Sequence, residues 1–332
     1  MNVPADNRTP AGSPGAVYAP LLTPFTRDRR QIDAQALRTH LAFLAQSGLD
    51  GVLLLGTNGE FGRLAEAEKL ALVDLATAVA PELAFIIGIT SPGSEAETFR
   101  FARLLDERLS RPARFLAAPP FYSRYRQGAR AEPSEVAGFY GRLLGLDLAP
   151  PILAYNVPVP PAGPVTAPVP PETVAVFAAA ENFWGLKDST GEVANISRYL
   201  AQRPGLQLLV GHDKAISGGR AAGAAGSITA CANVFPSAVR AVWNAGDEDT
   251  RAGCQRELDR LRGVLELVPG KMVAIQKLLL QRLGVVAERS PVREAGLELE
   301  GTEVTAVLRR LREVAGSLAV NAQLRRLLAS AI

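Results

Sequence analysis

The chain has 332 residues, of which 48% are hydrophobic and 21% are charged, and this composition is ordinary for a globular protein with a large core. Its 36 basic and 33 acidic residues are scattered and leave a net charge of +3, which argues against a nucleic-acid partner. The sequence contains no run of about 18 apolar residues, so it predicts no membrane partner.

Cysteine and histidine are too few for two common classes of structure. Cys231 and Cys254 form no CxxC motif, which excludes a disulfide framework and indicates a reducing, cytoplasmic location. His40 and His212 are the only histidines, and with two cysteines they cannot build a metal cluster at any usual spacing. We therefore expect no metal and no other cofactor.

In chain order, the first residues lack the basic start and apolar stretch of a signal peptide, and we predict a disordered lead over residues 1–15. From residue 16 onward, short apolar runs alternate with stretches of helical periodicity. The runs are continuous, which is typical of parallel strands that are covered on both faces. The predicted strands span residues 16–22, 51–56, 84–89, 113–119, 151–157, 183–188, 206–211 and 226–231.

The stretches between these strands have the pattern of amphipathic helices. Leu37, Leu41 and Leu44, for example, recur at the i, i+4 and i+7 spacing of a buried helix face. Eight such units predict an α/β fold of the (β/α)8 TIM-barrel type over residues 16–237. The rival fold, a doubly wound open sheet, lacks its G-x-G-x-x-G motif at the first crossover. Residues 238–332 are predicted to hold the last barrel helix and a C-terminal helical extension.

A lysine stands where a barrel of this type carries its active site, at the carboxyl ends of the strands. Lys187 ends the sixth predicted strand in "GLKDSTG", and its neighbour Asp188 is expected on the opposite strand face. Loss of hydration disfavours a buried ammonium ion and makes the amine available to attack a ketone and form a Schiff base. The alternative interpretation is a lysine whose charged end extends into solvent at the barrel mouth.

Two neighbouring strand ends carry groups that suit the same chemistry. Tyr155 ends the fifth strand in "YNVP" and could exchange the protons that carbon–carbon cleavage requires. Thr57, in "GTNGEFG" after the second strand, could relay that proton, and the consecutive N–H groups of the TNGE turn suit a small carboxylate. The alternatives are a core tyrosine bonded to backbone and a plain turn with Gly59 in the left-handed conformation.

The motifs "GTNGEF", "YNVP", "GLKDSTG" and "AAGAAGSITACANVFP" occur in this order and together resemble the dihydrodipicolinate synthase and N-acetylneuraminate lyase family of pyruvate-dependent class I aldolases. The resemblance implies that Lys187 forms an imine with the ketone carbon of pyruvate or of a pyruvate-yielding substrate, with Tyr155 as general acid/base. It further implies that Thr57 and Asn58 hold the carboxylate, and that Thr57 connects Tyr155 to a second tyrosine, which Tyr122 matches.

The resemblance also concerns the rest of the pocket and the assembly. Gly211 and Ile228 match positions that line the pocket near the imine. The second tyrosine comes from a neighbouring subunit in many members, and a homotetramer or homodimer is implied. Arg124, together with Arg126 and Arg130, follows the fourth strand, where one arginine could bind the distal end of the substrate. The alternative for each of these arginines is a solvated loop position.

Departures from the family pattern bear on the substrate. Members that make dihydrodipicolinate typically carry an arginine shortly after YNVP, and the matching place here is Pro160. The "GTNGEF" and "CANVFP" motifs are closer to the 4-hydroxy-2-oxoglutarate aldolase branch. We therefore predict a lyase that acts on a small 2-oxo acid, such as 4-hydroxy-2-oxoglutarate or a 2-keto-3-deoxy sugar acid. The alternatives are dihydrodipicolinate synthase itself and a barrel that binds a 2-oxo acid without turnover.

Overall fold

The computed structural model describes residues 15–91, 94–119, 132–157 and 169–318. Within these ranges eight parallel strands close into a barrel, because β1 pairs with β8 as well as with β2. The strands are Ala16–Pro20 (β1), Gly51–Leu54 (β2), Ala84–Gly88 (β3), Arg114–Ala117 (β4), Ile152–Asn156 (β5), Phe183–Asp188 (β6), Gln207–Val210 (β7) and Gly226–Ile228 (β8). The predicted (β/α)8 fold is confirmed, and the closed β1–β8 pairing excludes the open sheet.

Seven of the eight strands are shorter than their predicted segments because apolar residues continue into the loops. Leu21 and Leu22 are each 2% exposed, although β1 ends at Pro20. Similarly, β8 ends at Ile228, and the chain then turns into a short 3-10 helix, Ala230–Asn233. The hydrophobic pattern reports burial, and in these loops burial continues after sheet pairing has stopped.

Helices alternate with the strands and form the outer layer of the barrel. In α1 the predicted face of Leu37, Leu41 and Leu44 is fully buried, and the Asp33 side chain caps the helix by accepting from the Ala36 N–H at 2.9 Å. The helices within the described ranges are Ala34–Gln46 (α1), Glu66–Val79 (α2), Glu95–Arg108 (α3), Pro133–Leu144 (α4), Pro171–Phe177 (α5), Val193–Gln202 (α6), Ile216–Ala221 (α7), Pro236–Asn244 (α8), Glu248–Leu265 (α9), Met272–Arg282 (α10) and Gly301–Ser317 (α11).

The described residues after the barrel, up to residue 318, are mostly helical. The helix that follows β8, α8, begins at Pro236, and the Trp243 indole in it donates to Ser227 Oγ of β8 at 2.9 Å. Helices α9, α10 and α11 form the C-terminal extension. No helix of the described segments is long and apolar enough to cross a bilayer. The predicted N-terminal lead, apart from Gly15, lies outside the described residues.

Side chains fill the barrel interior beneath the carboxyl ends of the strands, so the barrel has a packed floor. Tyr155 packs against this interior cluster from its position on β5. The cluster contains Ala16, Tyr18, Leu53, Ile86, Leu116, Leu153, Leu209 and Ile228. A side chain at the end of β5 or β6 therefore has apolar groups below it and the barrel mouth above it.

His40 of α1 makes stability depend on pH. Its Nε2 donates to the Asn233 carbonyl oxygen at 3.1 Å, and burial lowers the pKa of His40 to about 4 from the ordinary value of 6.5. Between these pH values His40 binds a proton in the unfolded chain but stays neutral in the folded chain. The stabilising contribution is thus complete above pH 6.5 and falls by about 3 kcal/mol as the pH drops to 4.

We expect the substitution His40→Gln, which keeps a donor near Asn233 but cannot titrate, to flatten this dependence. Urea unfolding at several pH values between 4 and 7, on wild type and variant, measures the difference in slope. The comparison isolates His40 because the buried carboxyls of Asp188 and Asp213, whose pKa values burial raises, are common to both proteins. Parallel curves for the two proteins would contradict the prediction.

Candidate active site

Lys187 and Tyr155 lie side by side at the carboxyl ends of β6 and β5. The two residues are register partners in the parallel pairing of these strands. Lys187 Nζ lies 3.3 Å from the Tyr155 hydroxyl oxygen and 4.3 Å from the centre of its ring. Lys187 is 4% exposed, so the side chain is withdrawn from solvent and does not extend out of the mouth. The arrangement places an amine against a phenol on an apolar floor.

Asp188 does not pair with this amine. Its carboxylate accepts from Asn156 Nδ2 at 2.6 Å and from the Thr190 hydroxyl at 2.7 Å, on the side of the strand away from Lys187. Burial raises the pKa of Asp188, and these hydrogen bonds oppose the rise. Among the described residues no carboxylate lies within 4 Å of Lys187 Nζ, so no ion pair holds the amine.

The backbone of Tyr155 is anchored by Tyr140, for which the sequence predicted no role. The Tyr140 hydroxyl, on α4, donates to the Ala117 carbonyl oxygen at 2.8 Å and accepts from the Tyr155 N–H at 3.1 Å. Tyr140 is fully buried and joins the ends of β4 and β5. No local pattern could have revealed this role, because it depends on how α4 packs against the sheet.

Ser189 adds a hydroxyl to the site. Its Oγ lies 3.4 Å from the Tyr155 hydroxyl oxygen and 3.3 Å from the Gly211 carbonyl oxygen. Since a carbonyl can only accept, Ser189 satisfies all three groups when it donates to Gly211 and accepts from Tyr155. A Cβ added at Gly211 would stand 2.1 Å from Ser189 Oγ, so glycine at this position makes room for the serine. Ser189 was detectable in principle, because it is two residues after Lys187 and shares its strand face.

We expect Ser189→Ala to lower turnover about tenfold, which is the worth of one net hydrogen bond to the phenol. Pyruvate should still become attached to Lys187 in the variant, because the amine is untouched. Steady-state kinetics together with borohydride trapping checks both parts. Ser110→Ala, at an exposed position before β4, is the matched control and should leave turnover unchanged. A Ser189→Ala protein with wild-type turnover would contradict the prediction.

The TNGE loop, residues 56–60, follows β2 and faces the same cleft as Tyr155. Thr57 and Tyr155 both line this cleft. In the part of the chain that the structure describes, the backbone N–H groups of Thr57 and Asn58 form no hydrogen bond, whereas those of Gly59 and Glu60 bond within the loop. Two adjacent free donors are therefore available to an anion. The hydroxyls of Thr57 and Tyr155 form no direct hydrogen bond within those same residues.

The conformation of this loop differs from the simple turn considered above. Gly59 is not left-handed, and the left-handed residues are Leu55 and Glu60, each with φ of 56°. Glycine is required at position 59 by close approach, since an added Cβ would stand 2.9 Å from the Leu21 carbonyl oxygen. The Thr23 hydroxyl also donates to the Gly59 carbonyl oxygen at 2.7 Å. The two strained residues stand on either side of the free donors.

The remaining predicted residues divide into those the structure places and those it leaves out. Ile228 is fully buried in the barrel interior, in the cluster on which Tyr155 packs, and Gly211 contacts Ser189. Tyr122 and Arg124 lie outside the described residues, as do Arg126, Arg130 and Pro160. Over the described ranges no group of three or more His, Cys, Asp or Glu side chains could hold a metal ion.

The fold defines the protein as a TIM barrel, and a buried lysine and a tyrosine lie side by side at the carboxyl ends of its strands. A model described as the dihydrodipicolinate synthetase family matches residues 13–311. The chain belongs to this family, whose members are class I aldolases and lyases that work through a Schiff base.

The relatives described here share a low sequence identity with this chain. The chain is 32% identical over 232 residues to a protein named "Uncharacterized DapA-like lyase" from Chloroflexus aurantiacus, and the match covers 70% of this chain and 75% of the relative. It is 27% identical over 294 residues to "Probable 2-dehydro-3-deoxy-D-pentonate aldolase YjhH" from Escherichia coli, with 85% and 92% covered. The sequence relationship is thus spread over most of both chains.

Solved structures agree with the barrel. YagE, a prophage protein from Escherichia coli K12 solved in complex with pyruvate, superposes with a TM-score of 0.77 at 20% identity, covering 92% of this chain and 99% of its own. The 4-hydroxy-tetrahydrodipicolinate synthase of Methylacidiphilum fumariolicum SolV gives 0.78 at 22% identity, covering 94% and 99%. At this identity the likeness concerns the fold.

Proposed function

We propose that this protein cleaves or forms a carbon–carbon bond between pyruvate and an aldehyde, with Lys187 as the Schiff-base lysine and Tyr155 as the general acid/base. The observation that carries the proposal is the buried contact of Lys187 Nζ with the Tyr155 hydroxyl at 3.3 Å. A reactive amine beside a proton-exchanging phenol is what imine formation requires. Pyruvate as the common substrate is supported by the resemblance of the motifs and by the pyruvate complex of YagE.

Substrate binding follows from the groups around the pair. The free N–H groups of Thr57 and Asn58 would receive the carboxylate of the 2-oxo acid, while Gly211 and Ile228 bound the pocket beside the imine. Binding the carboxylate at one end and the ketone carbon at Lys187 holds the reacting atoms in one orientation. We further propose that Tyr122 joins Thr57 in a proton relay to Tyr155.

In the cleavage direction, the Lys187 amine attacks the ketone carbon, and the hydroxyl group that forms leaves as water with a proton from Tyr155, which yields a protonated imine beside a phenolate. Tyr155 then takes the proton of the hydroxyl on the carbon beyond the methylene group, and the carbon–carbon bond breaks. Its electron pair moves to the imine to form an enamine, and the aldehyde departs. Protonation of the enamine carbon and hydrolysis of the imine release pyruvate and restore the amine. Contact with Ser189 helps the phenol to hand on its proton.

For the substrate we propose 4-hydroxy-2-oxoglutarate or a 2-keto-3-deoxy sugar acid. The name of the pentonate aldolase relative supports a sugar acid, and Pro160, in place of an arginine, argues against aspartate semialdehyde. The alternative is 4-hydroxy-tetrahydrodipicolinate synthase, the name of relatives at 27% to 29% identity from Listeria, Legionella and Wolbachia. Arg124 is our proposed contact for the distal end of the substrate.

Borohydride reduction in the presence of pyruvate, followed by peptide mass spectrometry, tests the proposal. We expect the reduced pyruvate adduct on Lys187, and an unmodified Lys187 under these conditions would refute the proposed role. Retro-aldol release of pyruvate from the two proposed substrates, compared with turnover of aspartate semialdehyde, separates aldolase from synthase. An adduct on Lys187 with no turnover over a panel of aldehydes would instead support a binding protein.

A further inference from the structure

The C-terminal extension reaches the TNGE loop through two consecutive polar residues of α10. Gln276 and Lys277 are 0% and 2% exposed, which is unusual for such side chains unless they are paired. Gln276 Oε1 accepts from Asn58 Nδ2 at 3.4 Å, and Lys277 Nζ donates to Glu60 Oε1 at 2.6 Å. One helix therefore contacts two of the loop residues. The two members of the ion pair are 217 residues apart in the sequence.

Both carboxylate oxygens of Glu60 are held by the extension. Its Oε2 accepts from the Arg293 N–H at 2.7 Å, while Lys277 Nζ also donates to the Pro291 carbonyl oxygen at 2.7 Å. The ammonium group further lies 4.6 Å from the centre of the Phe25 ring. Burial lowers the pKa of Lys277, and the Glu60 charge opposes this fall. We call the ion pair of Glu60 and Lys277 the clamp, and both of its side chains are largely withdrawn from solvent.

The clamp acts on a residue whose backbone is strained. Glu60 is left-handed, with φ of 56°, a conformation that non-glycine residues keep only where their surroundings enforce it. Leu55, with the same φ, stands at the other end of the loop. Between them lie the free N–H groups of Thr57 and Asn58. The left-handed residues thus stand at both ends of the segment that carries these donors.

We propose that Lys277 and Glu60 are positioning residues: their ion pair fixes the TNGE loop so that the Thr57 and Asn58 N–H groups converge on the carboxylate of the 2-oxo acid. The C-terminal extension is on this account part of the substrate-binding apparatus. The choice of ligand rests on the proposed function, whereas the clamping of the loop does not.

The test uses the single variant Lys277→Met and the double variant Glu60→Gln/Lys277→Met in the full chain. The double variant removes both charges together and so leaves no buried charge unpaired. We expect the single variant to melt at a lower temperature than wild type and the double variant to melt closer to wild type. In both variants the pyruvate concentration for half-maximal borohydride trapping should be about tenfold above that of wild type. Recovery of both quantities in the double variant would overturn the proposal, because the pair would then serve stability alone.

Lys271→Met is the matched control. Lys271 directly precedes α10, and its ammonium group pairs with Glu303 at 2.8 Å, a residue of α11 and not of the loop. We expect its half-saturating pyruvate concentration to stay within about twofold of wild type, which would separate loop positioning from general damage to the extension. A tenfold rise in this control would likewise overturn the assignment to Lys277 and Glu60.

Hydrogen–deuterium exchange tests the clamp without reference to pyruvate. The N–H groups of Gly59, Glu60 and Arg63 form hydrogen bonds within the loop and its 3-10 turn, so a peptide covering residues 55–64 should exchange slowly in wild type. We expect at least about tenfold faster exchange in the double variant and none of this effect in Lys271→Met. If the wild-type protein does not trap pyruvate, the proposed function is refuted. The clamp is refuted separately, by an exchange rate in the double variant that equals that of wild type.

Discussion

Replacing Lys187 by arginine is expected to abolish imine formation with pyruvate and to lower turnover by about 10⁴-fold or more. Arginine keeps N–H donors and much of the length of the side chain, but the guanidinium group stays protonated and cannot attack a ketone. Its N–H groups can still donate to the Tyr155 hydroxyl, so loss of activity would reflect the missing nucleophile and not a missing hydrogen-bond donor. Borohydride trapping and pyruvate release measure the two effects.

Lys214→Arg is the control for this variant. Lys214 follows β7 at the same end of the barrel, but it is exposed and pairs with Glu192 at 3.0 Å. Trapping on Lys187 and turnover should both persist in the control. Lys277, the other buried lysine of the described residues, is held by Glu60 and is unsuited to attack a ketone. Continued trapping of pyruvate in Lys187→Arg would show that another amine is the nucleophile.

Replacing Tyr155 by phenylalanine is expected to lower turnover by about 10²- to 10⁴-fold, the usual range for a general acid/base. The ring remains, so the packing against the barrel interior and the contact with Lys187 persist, and only the hydroxyl is lost. We expect slower imine formation as well, because loss of water from the first adduct also needs a proton. Single-turnover trapping with pyruvate separates that step from cleavage.

Tyr18→Phe is the matched control for the phenol. Tyr18 lies in the same interior cluster and is 5% exposed, but it belongs to β1 and pairs with Ile228 and Gly51, away from Lys187. Its substitution should leave turnover near wild type. Equal losses in the two variants would mean that packing, and not proton transfer, accounts for the effect of Tyr155.

Much of the fold was predictable because the hydrophobic pattern carries it. Continuous apolar runs identified all eight strands, and the spacing of Leu37, Leu41 and Leu44 identified a buried helix face that the structure confirms. The ends of the strands were less predictable. Leu21 and Leu22 pack in the core without pairing in the sheet, and a pattern of burial cannot distinguish the two situations.

The candidate site was predictable to the extent that it depends on strand ends. Lys187 and Tyr155 each close an apolar strand, and a parallel barrel brings such ends together, as the 3.3 Å contact shows. The site residues assigned to the fourth strand's loop, Tyr122 and Arg124, remain predictions. Ser189 stands two residues after Lys187 on the same face, but its contacts with Tyr155 and with Gly211, directly after β7, exist only in the folded barrel.

By itself the sequence determined the class of fold and the residue types at the carboxyl ends of its strands, because periodicity and chemistry are local properties of the chain. Only the tertiary structure decided what each of those residues touches. The clamp between Glu60 and Lys277 joins residues 217 positions apart, and the strain at Leu55 and Glu60 contradicts any expectation from residue type. Such contacts arise from the closure of the barrel and the docking of its extension, whose geometry depends on all the elements at once.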